Sequence, residues 1–527
     1  MARASLLVKN AKRSPEHMLK ELRQRLREIR DLSGAAAVLN WDQSTYMPPG
    51  GAAARARQYA VVSKLAHERM TSAALGRLVD ALAPYGETLP ADSDDARLIA
   101  VVRRDFEKAA KVPARYVARA SAIGAASYDA WTRARPANDF SAMQSWLQQM
   151  VDLSREYASY FAPYAHISDP LIDDTDEGMT YASVRALLAA LRTELVPLVR
   201  AVCEQPLADT TCLHGDFAPD SQVAFGLSIT RAFGYDLNRG RLDRSPHPFC
   251  TKFSADDVRI TTRIRPDELT YSLFSILHEA GHAMYEQGVA QELADTPLGQ
   301  GTSIGVHESQ SRLWENVVGR SLNLWEHYFP ELQSRFSGQL ASTSVETFYR
   351  AINKVERTLI RTEADELTYN LHIIIRFELE TELLEGKLAV KDLPECWRAR
   401  YQSDLGVVPP DDRDGCLQDV HWYGNGVGAA FPSYTIGNVL SAQFYAAALR
   451  ADPDIPQQIR AGEFGVLHGW LRENLYRSGR KFMPAKMVQR ATGEPISIKP
   501  YMEYLRKKYG ELYRLPLSSA PAERTRA

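Results

Sequence analysis

Leu269-Thr270-Tyr271-Ser272-Leu273-Phe274-Ser275-Ile276-Leu277-His278-Glu279-Ala280-Gly281-His282 carries two patterns at once. Leu269, Leu273, Ile276 and Leu277 recur at three- and four-residue spacing, the stripe of an amphipathic helix. Pro266-Asp267 is a start signal and Gly288 stands where a C-terminal cap belongs. The second pattern is H-E-x-x-H. Histidines at i and i+4 share one helical face, so both imidazoles can hold one Zn²⁺. Glu279 lies beside them and can take a proton from water that the metal activates. A random order of residues with 12 His produces this pattern about 0.02 times. The alternative reading is a surface helix with two histidines.

A catalytic zinc needs a third protein ligand and an open position. His307-Glu308-Ser309-Gln310 offers Glu308, at the head of a stretch with Leu313, Trp314, Val317 and Val318. A loop from Gly288 to Gly305 lets that second helix fold against the first. His278, His282 and Glu308 then form a gluzincin-type set. The alternative is a solvated carboxylate favoured by the helix macrodipole. Ligand histidines are usually oriented through their other nitrogen. Arg312 stands four residues beyond Glu308, where an acid could serve, so Glu286 and Glu315 are the candidates for that task.

Outward from this centre, the chain has 527 residues, 45% hydrophobic and 24% charged, with a net charge of −2. That is an ordinary globular composition. It gives no reason to expect nucleic acid or an anionic membrane as a partner. No run approaches the roughly 18 apolar residues of a spanning helix. The five cysteines, Cys203, Cys212, Cys250, Cys396 and Cys416, are scattered, so reduced thiols and a cytoplasmic location are expected. Helical stripes are expected over about 14–39, 55–85, 92–135, 139–160, 180–203, 219–233, 267–287, 306–326, 344–385, 391–403, 434–450 and 455–478. The one good strand signal is Val258 to Ile264. The expected fold is mainly α, with a small sheet near residues 245–265. Residues 14–517 read as one helical domain with two lobes around a cleft, and 1–13 and 518–527 as unstructured ends.

Five motifs in fixed order resemble the M32 family of metallocarboxypeptidases, the thermostable carboxypeptidase Taq type. D-x-R-x-T is Asp257 to Thr261, H-E-x-x-H is His278 to His282, and H-E-S-Q is His307 to Gln310. I-R-x-x-A-D is Ile360 to Asp365, and G-x-x-Q-D-x-H-W is Gly415 to Trp422. Leu39-Asn40-Trp41-Asp42-Gln43 and Met47-Pro48-Pro49-Gly50 also resemble the family. The resemblance implies a helical, neurolysin-like gluzincin fold with a deep groove, and a homodimer. It implies release of single residues from peptides with a free C-terminal carboxylate.

A carboxypeptidase must grip that carboxylate, and arginine suits it, being always charged and bidentate. The resemblance points to Arg361, with Asp365 four residues on as its orienting partner. The alternative is a surface ion pair. Arg259, in the strand, either meets substrate, braces the site, or pairs with Asp257. In related helical peptidases a histidine and a tyrosine steady the oxyanion. His421 and Tyr434 are the candidates here, with Tyr423 as substitute and Trp422 as packing. Zn²⁺ is the expected ion, with Co²⁺ or Mn²⁺ as possible substitutes. The rival readings are an oligoendopeptidase or dipeptidyl carboxypeptidase on the same fold, and an inactive peptide-binding protein.

Overall fold

Ser14 accepts a hydrogen bond from the His17 N–H, and Pro15 opens the first helix, α1 (Pro15–Thr45). The computed structural model describes residues 14–424, 426–428 and 430–515. The expectations for residues 1–13 and 518–527 lie outside the described residues. Cap residues cut the longer expected stripes into shorter helices. Ser72 accepts from the Leu75 N–H and starts a new helix, Ala73–Thr88, behind α2 (Ala52–Met70). Pro113, which has no N–H, divides Asp94–Lys111 from Ala114–Ala134.

The fold is mainly α. Its small sheet holds β1 (Leu242–Arg244), β2 (Cys250–Ser254) and β3 (Asp257–Thr262), in the order β1-β3-β2. β1 runs parallel to β3, in register Leu242 with Ile260, and β2 runs antiparallel, in register Cys250 with Ile260. The sheet thus begins a few residues before the expected 245–265 window. Val258 and Ile260 of β3 are fully buried against the helix Leu269–Gln287.

The stretch 344–385 departs most from expectation. Helices occupy Val345–Ile352 and Tyr369–Glu385, with a short 3₁₀ turn at Arg361–Glu363 between them. Asp365 is the cause. Its carboxylate accepts the backbone N–H groups of Glu356, Leu367 and Thr368, which folds the segment back on itself. Two helices beyond the last expected stripe, Pro484–Thr492 and Lys499–Tyr513, complete the C-terminal side.

One continuous apolar core runs from Tyr116 to Tyr513. A second, smaller core joins α1 to the helices at 73–111 and to Val289, Leu293 and Leu298. No helix among the described residues is long and apolar enough to cross a membrane.

Candidate metal centre and substrate cleft

The helix Leu269–Gln287 is largely buried, and it presents His278, Glu279 and His282 to the cavity. The helix Ile304–Arg312 approaches it closely at Gly281. A Cβ there would stand 2.5 Å from the Gln310 carbonyl oxygen and 2.7 Å from Ser311 Cα. The other side of Glu308 rests on Gly437 of the helix Phe431–Ala451, where a Cβ would stand 2.5 Å from Glu308 Cγ. Two glycines therefore let three helices converge on one carboxylate.

Glu308 Oε2 lies 3.4 Å from His282 Nε2 and 3.8 Å from His278 Nε2. One ligand atom from each of the three residues falls within 4.8 Å of the others. Three ligands about 2.0–2.2 Å from one tetrahedral zinc are spaced comparably. The outer nitrogens are occupied. His278 Nδ1 is 2.8 Å from Glu315 Oε2. His282 Nδ1 is 2.6 Å from His307 Nδ1, and His307 Nε2 is 2.8 Å from Glu286 Oε1. Lys252 Nζ sits 2.8 Å from the other Glu286 oxygen. Because both carboxylates can only accept, the network assigns N–H to His278 Nδ1 and His307 Nε2, and through neutral His307 to His282 Nδ1. Both Nε2 lone pairs are then left toward Glu308, and the donor set fits a single divalent ion. A π-helical turn at Leu313–Val318 follows the Glu308 helix and delivers Glu315. Arg312 bonds Glu308 Oε1 at 2.7 Å and reaches Glu315 at 3.2 Å. The position read as lacking an acid thus supplies a cation that ties two carboxylates.

Burial works against ionised Glu308, but Arg312 and the two imidazoles outweigh it and hold its carboxyl well below the usual range. Glu315 is held down to about 2, as Arg312 and His278 overcome its burial. Burial lowers His282 to about 4, keeping it neutral. Glu279 behaves oppositely. Burial raises it to about 7, with Glu308 and Glu315 adding to the shift and His278 opposing it.

These groups line a cavity of about 1300 Å³ shared with Arg361, Tyr369, His421 and Tyr434. Arg361 is buried, and its partner is Asp419, not Asp365. Nε donates to Asp419 at 3.1 Å and Nη2 at 2.7 Å, while Nη1 donates to the Tyr369 hydroxyl at 3.1 Å. Fully buried Arg376 bonds the same Asp419 and donates to Gln418 Oε1 at 2.7 Å. Gln418 Oε1 also accepts the Arg361 N–H. His421 Nε2 is 3.3 Å from the Tyr434 hydroxyl, and His421 Nδ1 stops 3.6 Å from Asp419. The Arg361 guanidinium lies 5.6 Å from the Tyr434 ring centre. His278, Glu279, His282, Glu308, Arg361, His421 and Tyr434 are thus brought to one cleft.

Arg259 is not among them. It pairs with Asp257 at 2.7 and 2.8 Å and is stacked between Trp41, 4.5 Å away, and Phe253, 4.8 Å away. That strand signature fastens α1 to the sheet. Trp422 is packing, as expected, with its Nε1 donating to buried Glu380. Tyr423 is buried outside the cavity lining. Sequence reading missed Tyr369, Arg376, Lys252 and the pairing of Arg361 with Asp419. The adjacent Gln418-Asp419 inside a motif was the one available signal.

A family model for the carboxypeptidase Taq (M32) metallopeptidases matches residues 21–509. Thermostable carboxypeptidase 1 of Thermus thermophilus is 40% identical over 512 residues, spanning 95% of this chain and 100% of its own. The crystal structure of an M32 carboxypeptidase from Deinococcus radiodurans aligns with a TM-score of 0.92 at 50% identity, covering 94% of this chain and 100% of that one. Metallocarboxypeptidase 1 of Trypanosoma cruzi aligns with a TM-score of 0.89 at 29% identity, covering 94% and 100%. The chain belongs to the M32 family of metallocarboxypeptidases, which are peptide hydrolases.

Proposed function

We propose that this metallocarboxypeptidase removes single residues from peptide C-termini with one Zn²⁺ held by His278, His282 and Glu308. The observation that carries the reading is the convergence of both Nε2 atoms on Glu308 Oε2, in the cavity that also holds Glu279 and Arg361. When bound, zinc supplies a Lewis acid for the scissile carbonyl and lowers the pKa of water. Co²⁺ and Mn²⁺ suit the same donors.

Arg361 anchors the substrate's terminal carboxylate. A guanidinium has five N–H groups. Asp419 and Tyr369 engage three, leaving one on each terminal nitrogen without an acceptor among the described residues. That pair suits a bidentate carboxylate. Glu279 takes the proton of the attacking water and passes it to the leaving amine. Its raised pKa places the carboxyl near the range where both transfers are easy. Tyr434 and His421 donate to the carbonyl oxygen as it gains charge.

Three further readings belong to the proposal. The main core, together with the smaller one that joins Leu19–Val102 to Val289, Leu293 and Leu298, supports one peptidase domain over 14–517 with lobes either side of the cleft. A homodimer is supported by α2, which buries no residue and exposes Tyr59, Val61 and Leu65. Five unpaired cysteines support a cytoplasmic location.

The test is one unstructured peptide and its C-terminal amide, each incubated with zinc-loaded protein and followed by mass spectrometry. Stepwise trimming of the free acid alone is expected. Internal cleavage of both peptides would mean an oligoendopeptidase instead.

A further inference from the structure

Tyr369 is the first residue of the helix Tyr369–Glu385 and belongs to none of the five motifs. Its hydroxyl accepts from Arg361 Nη1 at 3.1 Å. Its ring is held by the Arg312 guanidinium, 4.7 Å from the ring centre, and edge-on by Tyr434. A phenol has one hydrogen to donate, and this one meets no acceptor among the described residues. Tyr369 is only 7% exposed, yet it lines the cavity beside Arg361, His421 and Tyr434. Its unused donor is therefore next to the two Arg361 N–H groups that also lack acceptors.

The geometry points to Tyr369 as a second substrate-binding residue, donating its phenolic hydrogen to the terminal carboxylate that Arg361 holds. This rests on the reading of Arg361 as the carboxylate anchor. A carboxylate offers about four lone-pair sites, so it can take two N–H donors and one O–H at once. The tyrosine is suited to the task. Its ring is held by Arg312, which also bonds Glu308, and its hydroxyl accepts from Arg361, so the hydroxyl is preset beside the anchor. The rival role for the same contact is that Tyr369 only steadies Arg361. The two roles differ in whether the effect survives when Arg361 is changed.

Tyr369→Phe keeps the ring and removes only the hydroxyl. With a free-acid peptide, KM is expected to rise about ten-fold or more, as for loss of a hydrogen bond to a charged group, with kcat within about two-fold. Inhibition by the released amino acid should weaken by the same factor. Inhibition by acetohydroxamate, which binds metal but has no carboxylate, should be unchanged. In an Arg361→Lys background, which keeps a charge for Asp419, the Tyr369→Phe effect should persist. Thermal midpoints establish that each variant is folded. An unchanged KM overturns the proposal, and so does an effect that disappears in the Arg361→Lys background. Either result leaves the Arg361 anchor standing. Wild-type protein that trims the C-terminal amide as fast as the acid removes the anchor itself, and the Tyr369 contact with it.

Discussion

Asp419 Oδ1 accepts from Arg361 Nη2 at 2.7 Å, and the other oxygen of the same carboxylate accepts from Arg376. One buried anion thus orients an arginine of the cleft and a fully buried one behind it. Burial opposes its charge, but the two guanidinium groups hold its carboxyl well below the usual range. Asp419→Asn leaves two buried cations without their counter-ion. A stability loss of about 3–5 kcal/mol is expected from such a broken buried network. KM for free-acid peptides should rise as Arg361 loses its orientation. Denaturant unfolding and steady-state kinetics check the two effects, and a variant unchanged in both contradicts the role given to Asp419.

The metal face depends on the outer nitrogens of the histidines. Glu315→Gln removes the charge that holds His278 Nδ1–H, and His307→Phe removes the acceptor for His282 Nδ1–H. Each should weaken zinc binding about 10- to 100-fold. Competition against a chelating dye measures this without reference to turnover. Wild-type affinity in both variants would show that neither group orients a ligand.

Much of this centre was legible because H-E-x-x-H needs only helical periodicity to place two imidazoles on one face. Glu308 required one more step, a loop long enough to return a second helix. Arg361 and Asp365 show where such reasoning stops. Their four-residue spacing implies contact only if the segment is helical, and Asp365 itself prevents that by capping the backbone from Glu356 to Thr368. The real partner is 58 positions away along the chain, a distance that no periodicity reports. Arg259 was left open for a different reason. A strand residue has two faces, and only the fold shows that this one pairs with Asp257 and turns to Trp41.

Close helix approach sets the position of Glu308. Gly281→Ala places a methyl carbon 2.5 Å from the Gln310 carbonyl, which must move. Overpacking of this kind costs about 1–3 kcal/mol. Because the displaced backbone carries Glu308, zinc affinity should fall together with the unfolding midpoint. Loss of stability with unaltered zinc affinity would mean that the helices adjust without moving the ligand.

Glu380 supplies a pH dependence remote from the metal. It is buried under Trp422, and burial raises its carboxyl to about 7. The folded state therefore binds this proton more tightly than the unfolded chain. Its contribution is fully present below about pH 4.5 and is lost as pH rises through about 7, a difference of about 3 kcal/mol. Glu380→Gln keeps an acceptor for Trp422 and removes the titration. Between pH 5 and 8 the stability of the variant relative to wild type should increase. A constant difference across that range would show that Glu380 stays ionised in the fold.

The central claim is that Glu279 moves the proton while His278, His282 and Glu308 hold the ion. It is tested most directly by Glu279→Gln, with zinc content measured by elemental analysis and C-terminal trimming followed by mass spectrometry on the same sample. The account predicts one zinc per chain and turnover lowered by at least about 10²- to 10⁴-fold. Wild-type turnover in the zinc-loaded variant would contradict it.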